Sequence, residues 1–159
     1  SRGLHEEADR MISQRLKELG IELPEVAAPV AAYIPAKRTG NEVRTSGQLP
    51  FINGALPAAG KVGADVSQDE AQALARQCAL NALAAAAAVV DLDEIRGVTH
   101  VTGFVASAPE FTGQPGVVNG ASEVLGEIFG QAGAHTRSAV GVAVLPLDAP
   151  VEVEVTFAL

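Results

Sequence analysis

Several residue types that often define the class of a small protein are scarce in this chain of 159 residues. It has one Cys and no Trp, and aromatic residues make up only 4%. A single Cys cannot form an intramolecular disulfide, and the sequence contains no cluster of Cys and His with the spacing of a zinc site. These absences exclude a disulfide scaffold, and they give no reason to expect a metal or another cofactor.

Positive charge is also scarce. Lys and Arg together number 11, against 19 Asp and Glu, so the formal net charge is −8. Proteins that bind nucleic acid non-specifically draw their affinity from Lys and Arg side chains that neutralise phosphates. We therefore expect no nucleic-acid partner.

Long apolar runs are absent as well. A membrane-spanning helix needs about 20 consecutive apolar residues, and the best candidate, the Ala-rich stretch 82–90, is much shorter. Residues 1–7 lack the basic start and the apolar run of a signal peptide. We expect a cytoplasmic protein without membrane contact.

Apolar residues overall are plentiful at 48%, enough for the core of one domain of this size. Residues 4–19 have the apolar spacing of an amphipathic helix, which Gly20 is placed to end. A proline-rich connector, 23–29, follows. We expect residues 1–26 to form an N-terminal helix and connector, and residues 27–159 to form the main domain.

In the main domain, the pattern predicts the order β-β-α-β-α-β-β. Gly40 and Asn41 have turn chemistry between the first two strands, and Ser67 to Glu70 is a capping box at the start of the first long helix. The predicted elements are strands at 31–34, 42–46, 98–105, 138–145 and 151–157, helices at 68–90 and 120–129, and a further short strand near 49–52. This order predicts an α+β fold, a mixed sheet with two helices on one face, plus the N-terminal helical extension.

The residue pattern of the last strand predicts that its two faces have different environments. Val151, Val153, Val155 and Phe157 alternate with Glu152, Glu154 and Thr156, so the apolar set faces the helices and the other set faces away. From the pattern alone, the Glu face could meet water. The neighbouring strand is small or apolar on both faces, however, and monomers rarely expose large apolar patches. This favours an oligomer in which Glu152 lies in a cleft between subunits, where a carboxylate can be tuned for proton transfer.

Several segments resemble the RidA/YjgF family, also known as the endoribonuclease L-PSP or chorismate-mutase-like family. They are the motif Thr45-Ser46-Gly47-Gln48-Leu49-Pro50, Arg137-Ser138 at the start of the strand that leads to Pro146, Val151-Glu152-Val153-Glu154, Tyr33 ahead of Gly40-Asn41, and Val118-Asn119. Each segment is short, but their order matches the family over residues 27–158. Ala139 stands where the well-characterised deaminases of the family usually have Cys, so the chain resembles a divergent branch.

The resemblance implies a homotrimer of chorismate-mutase-like domains with small-molecule clefts between subunits. It also implies hydrolysis of reactive enamine and imine intermediates to 2-keto acids and ammonia, without a cofactor. Arg137 would then bind the substrate carboxylate, and Glu152 would position or activate the attacking water. Tyr33, Ser46 and Asn119 match positions that line the family's pocket.

Each of these assignments has a structural alternative. Arg137 could form a salt bridge, Glu154 could face the site in place of Glu152, Tyr33 could cover the core, and Ser46 could belong to a turn. Asn119 could cap the short helix. For the protein as a whole, the alternatives are a catalytically silent trimer that binds a small carboxylate metabolite as a regulator or sensor, and, further away, a ribonuclease or translation inhibitor. Of the three His residues, only His135 invites attention, because it lies two residues from Arg137.

Overall fold

The computed structural model describes residues 11–26 and 32–159, and a mixed sheet of five strands organises them. The strands lie in the order β1-β2-β5-β3-β4. Neighbouring strands are antiparallel except β3 and β4, which are parallel. The elements are α1 Ile12–Glu18, β1 Ala36–Thr39, β2 Glu42–Thr45, α2 Gln68–Ala87, β3 Gly97–Ala106, α3 Gln114–Phe129, β4 Thr136–Val142 and β5 Val151–Ala158. The predicted α+β fold is confirmed.

The two long helices pack against each other and against one face of the sheet. The Ser67 hydroxyl accepts a hydrogen bond from the Glu70 backbone N–H at 3.1 Å, so α2 begins at the predicted cap. Gly120 of α3 lies against the Gln72 carbonyl oxygen of α2, where an added methyl group would overlap it. This contact between backbones brings α3 close to α2 and places it over β3 and β4.

The alternation in β5 is confirmed. Val151, Val153, Val155 and Phe157 are buried against the helices, and the Phe157 ring lies 6.0 Å from that of Phe129 in α3. Glu152, Glu154 and Thr156 point to the opposite face, which we call the outer face, and they are half-buried. No helix of the described residues covers this face. Val140 of β4 also lies on it and is 43% exposed.

Helix α2, with 20 residues, is the longest helix described, and it is buried over most of its surface. Its Cys78 is fully buried, and burial raises the pKa of the thiol well above the ordinary value, with a further contribution from the negative charge of Glu152. This is the environment of a core residue. In the part of the chain that the structure describes, no helix has both the length and the apolar character needed to cross a membrane.

The first strand lies at Ala36–Thr39, so its predicted position at 31–34 is wrong. The two-residue turn at Gly40 and Asn41 requires Thr39 to pair with Glu42 and Ala36 with Thr45. The residues of β1 after Ala36 are polar and exposed because this strand is the edge of the sheet. Near 49–52 the structure has isolated bridges rather than the short strand considered there.

The second long helix begins at Gln114, six residues before its predicted start at Gly120. The error came from Pro115, which the sequence pattern assigned to a loop. Proline is accepted in the first turn of a helix because the N–H that it lacks would have no partner there. Asn119 therefore lies inside the helix, and its alternative role as the N-cap is wrong.

The N-terminal extension packs on the domain through α1. Ile12 and Leu16 belong to the same buried cluster as the sheet and the long helices. The Ser13 N–H and hydroxyl each donate to a carboxylate oxygen of Asp93 at 2.9 Å. Gly20 has φ +69°, as its predicted role at the helix end requires. The beginning of the predicted helix, residues 4–10, and the predicted domain start at residue 27 lie outside the described residues.

Candidate functional site

Arg137 lies on the helix-covered face of the sheet. In the sheet register it is opposite Val101, which is in turn opposite Val155. Both valines are buried against the helices, and side chains of directly paired residues point to the same side. Because β4 is an edge strand, the Arg137 side chain reaches α3 and is only half-buried.

The Arg137 guanidinium is held along one stripe of α3. Its Nη1 donates to Asn119 Oδ1 at 2.8 Å and to Ser122 Oγ at 3.2 Å, and Nη2 donates to the Pro115 carbonyl oxygen at 3.4 Å. Positions 115, 119 and 122 are four and three residues apart, so they lie on one face of the helix. The helix thus fixes the guanidinium through three contacts.

Two donors of Arg137 remain. A guanidinium has five N–H groups, and the three contacts leave the Nε–H and one Nη2–H without a partner among residues 11–26 and 32–159. Nε and Nη2 form one edge of the guanidinium, and this is the edge that binds a carboxylate through two parallel hydrogen bonds. Across the same described ranges, no carboxylate lies within salt-bridge distance of Arg137, so the alternative of a salt bridge finds no partner there.

Glu152 occupies the outer face of β5, against Gly47. A methyl group added at Gly47 would lie 2.5 Å from Glu152 Oε2 and 2.8 Å from its Cδ, so the absence of a side chain at Gly47 makes room for the carboxylate. Burial raises the pKa of Glu152, and the negative charge of Glu154 raises it further. Glu154 itself is paired with Arg44, at 3.3 Å. Glu152 has no such pairing in the described part of the chain.

The segment that carries Tyr33 is joined to Ser46, the residue before Gly47, by two hydrogen bonds. The Ser46 hydroxyl donates to the Ile34 carbonyl oxygen at 2.6 Å, and the Ser46 N–H donates to that of Pro35 at 2.7 Å. Ser46 directly precedes Gly47, which contacts the Glu152 carboxylate. The two bonds therefore hold the segment that carries Tyr33 next to the residues that contact Glu152. Tyr33 is 45% exposed, which argues against a role in covering the core.

Within one chain, the predicted site residues form two separate groups. Arg137 and Asn119 form what we call the Arg137 cluster, on the helix-covered face. Glu152 and Ser46, with the backbone segment that carries Tyr33, form the Glu152 cluster, on the other side. Glu152 is opposite Phe104, which is opposite Val140, three residues along β4 from Arg137. The backbones of Arg137 and Glu152 are therefore about 10 Å apart along the strands and about 10 Å apart across them.

Sequence reasoning did not assign roles to three residues of these clusters. In the sequence, Gly47 is only one residue of the motif at 45–50, because its contact with Glu152 depends on the tertiary structure. Ser122 lies three positions after Asn119. A helix that begins at Gln114 places both residues on the same helix face, so a correct helix start would have predicted that Ser122 lies beside Asn119. His135 contacts Ser122, with 2.9 Å between its Nε2 and the Ser122 Oγ. Its proximity to Arg137 in sequence was the only available signal.

Known proteins share this fold over nearly the whole chain. A family model described as "YjgF/chorismate_mutase-like, putative endoribonuclease" matches residues 13–158. Protein TCP17 of Trypanosoma cruzi is 42% identical over 149 residues, which make up 92% of this chain and 93% of TCP17. The crystal structure of Atu1372 from Agrobacterium tumefaciens, a protein of unknown function, is 40% identical, with a TM-score of 0.83 over 100% of this chain and 99% of Atu1372.

A more distant structure is that of TdcF from E. coli with bound serine. It is 25% identical, with a TM-score of 0.62 over 87% of this chain and 96% of TdcF. The family model covers both long helices and every strand of the sheet. The resemblance found in the sequence is thus confirmed, and the chain belongs to the YjgF/chorismate mutase-like family.

Proposed function

We propose that this protein hydrolyses reactive enamine and imine intermediates of amino-acid metabolism to 2-keto acids and ammonia. The site is a cleft between two copies in a homotrimer, in which Arg137 of one copy meets Glu152 of the next. The observation that carries the proposal is the placement of Arg137 and Glu152 on opposite faces of one sheet. A single chain cannot bring both to one small substrate, whereas two neighbouring copies can.

Arg137 binds the substrate carboxylate in this proposal. Its Nε–H and second Nη2–H form a donor pair of the right shape, while Asn119 keeps the guanidinium on α3. The serine bound to TdcF supports this class of ligand, since serine also carries a carboxylate beside its nitrogen-bearing carbon.

Glu152 handles the proton of the attacking water. The carboxylate accepts a proton as the water oxygen bonds to the imine carbon and returns it to the imine nitrogen, which gives a carbinolamine. The carboxylate then transfers the hydroxyl proton of the carbinolamine to the nitrogen, the C–N bond breaks, and ammonia leaves as the C=O bond of the 2-keto acid forms. A raised pKa makes Glu152 a stronger base than an exposed glutamate. Glu154 is less suited to this step because Arg44 is paired with it. Tyr33 and Ser46 line the same side of the cleft.

The first test is imine hydrolysis. The imino acids are generated in situ by an amino-acid oxidase, and the imine that survives is trapped with semicarbazide. Wild type is expected to accelerate imine loss, and Arg137→Ala is expected to lower kcat/KM by about 100-fold, since a charge-assisted bidentate contact is removed. Ser13→Ala, which removes a hydroxyl contact at α1, is the control. The chain length and secondary structure of each variant are checked by mass spectrometry and circular dichroism.

The second test is subunit complementation. Arg137→Ala and Glu152→Gln are each expected to lose most of the activity when expressed alone. When they are co-expressed with different tags and mixed trimers are isolated, about one interface in three combines an intact Arg137 with an intact Glu152. About a third of wild-type activity should therefore return. Mixed trimers without any regain of activity would contradict a site shared between copies, and a monomer by light scattering would do the same.

The assays also separate this proposal from the alternatives. Binding of 2-ketobutyrate that depends on Arg137, with no turnover of several imino acids, would replace the deaminase with a trimer that senses a carboxylate metabolite. RNA cleavage that survives purification and is abolished by a point substitution would instead support the ribonuclease. The net charge of −8 argues against RNA as a substrate.

A further inference from the structure

A chain of hydrogen bonds connects Arg137 to the backbone of the turn before β4. Arg137 Nη1 donates to Ser122 Oγ at 3.2 Å, and Ser122 Oγ lies 2.9 Å from His135 Nε2. The other ring nitrogen, His135 Nδ1, lies 2.6 Å from the Gly133 carbonyl oxygen. Three side chains and one carbonyl group thus form a continuous path on the helix-covered face.

The chemistry of these groups gives the path a direction. A carbonyl oxygen only accepts, so His135 Nδ1 must carry the hydrogen that binds Gly133. In the neutral ring, Nε2 is then an acceptor, and the Ser122 hydroxyl donates to it. The Ser122 oxygen keeps a lone pair for the Arg137 N–H, which can only donate. Every donor in the path therefore has an acceptor.

The Gly133 end of the path is fixed. Gly133 is buried, and a methyl group added there would lie 2.7 Å from the Leu125 carbonyl oxygen of α3. The turn is therefore held tightly against the helix. The fixed Gly133 carbonyl group orients the imidazole ring of His135, and the ring orients the Ser122 hydroxyl. The hydroxyl in turn fixes the position of Nη1 in the guanidinium.

We propose that His135, acting through Ser122, is a positioning residue that orients the Arg137 guanidinium for a carboxylate ligand. The inference rests on the proposed carboxylate site and adds a residue to it. Asn119 and Ser122 bind the same nitrogen, Nη1, and together they fix the angle of the guanidinium about its side chain. That angle decides where the Nε–H and the second Nη2–H point.

Two substitutions of His135 separate its two contacts. His135→Asn keeps an amide near the Nδ1 position and can bind Gly133, but it is too short to reach Ser122. His135→Gln places an amide oxygen near the Nε2 position and can accept from Ser122. We expect His135→Asn and Ser122→Ala to weaken binding of 2-ketobutyrate by about five- to tenfold, and His135→Gln to stay within about twofold of wild type. Ser13→Ala is the control for loss of a hydroxyl contact elsewhere.

The result that overturns the proposal is an equal loss of binding in His135→Asn and His135→Gln, or no loss in either. Thermal unfolding and size-exclusion chromatography of each variant identify a loss that comes from unfolding. In the assay of imine hydrolysis, His135→Asn and Ser122→Ala should raise KM with little change in kcat, because the carboxylate contact is misaligned while Glu152 is untouched.

An NMR measurement on the wild-type protein tests the path without any ligand. At a pH where the ring is neutral, the 15N shifts of His135 should report the tautomer that carries its hydrogen on Nδ1, and Ser122→Ala should move the Nε2 resonance. Protonation at Nε2 instead, or an Nε2 resonance that ignores Ser122→Ala, would overturn the proposal. If Arg137→Ala binds 2-ketobutyrate as well as wild type, the carboxylate site itself fails, and the NMR result alone then decides whether His135 orients Arg137.

Discussion

The two faces of the sheet hold their charged residues in different ways. On the helix-covered face, the Arg137 guanidinium makes three hydrogen bonds to α3, so its position is set by directional contacts. On the outer face, the Glu152 carboxylate is positioned by packing against Gly47, and burial raises its pKa. A cation that must bind a ligand in one orientation benefits from fixed donors. A carboxylate that must exchange a proton benefits from partial burial and from having no cation of its own chain paired with it.

Gly47→Ala should damage the Glu152 cluster while leaving the Arg137 cluster intact. The new methyl group would collide with Oε2 of Glu152, so the carboxylate must move. We expect kcat for imine hydrolysis to fall by about 10- to 100-fold, because a displacement of about 1 Å at a catalytic group has effects of this size. Binding of 2-ketobutyrate, measured by calorimetry, should change much less. A loss of binding as large as the loss of kcat would show that the two clusters are not independent.

Glu154→Gln should change the pH dependence of the Glu152 cluster. The negative charge of Glu154 raises the pKa of Glu152, so its removal lowers that pKa, and the release of Arg44 acts in the same direction. As the pH falls, a carboxylate with a raised pKa becomes protonated at a higher pH, and its protonation removes the activity of the base. In Glu154→Gln the acid limb of the profile of kcat/KM should therefore move to lower pH, with about a twofold gain on that limb.

The control for this prediction is the alkaline side of the same profile, where Glu152 is ionised in both proteins and the rates should agree. A shift of the acid limb to higher pH would contradict the assignment of Glu152 as the base.

Gly126→Ala is expected to have the smallest effect, and it serves as the partner of Gly47→Ala. Gly126 lies within α3, and a methyl group there meets nothing within 4 Å. Replacing Gly by Ala inside a helix stabilises it by about 0.5–1 kcal/mol, which corresponds to about 1–4 °C in Tm for a chain of this size. Calorimetry should show the rise, with imine hydrolysis unchanged. A fall in Tm would mean that another copy packs against this position.

Much of the fold could be predicted from local patterns. The alternation in β5 and the cap at Ser67 were confirmed because they depend on neighbouring residues along the chain. The start of α3 was missed because Pro115 is compatible with both a loop and a first helical turn. The position of β1 was missed because an exposed edge strand has no apolar alternation, and its register comes from pairing with β2.

The sequence by itself determined the family, the residue types of the candidate site and the side of the sheet on which Glu152 lies. It could not place Arg137, because β4 has small or apolar residues on both faces and its alternation does not distinguish them. Only pairing with Val101 in β3 decided that Arg137 lies against α3, opposite to the face of Glu152. Tertiary structure also brought Ser122 and His135 to Arg137, and Gly47 to Glu152. The physical reason is that strand register and helix packing are contacts between residues far apart in the chain, which local patterns do not contain.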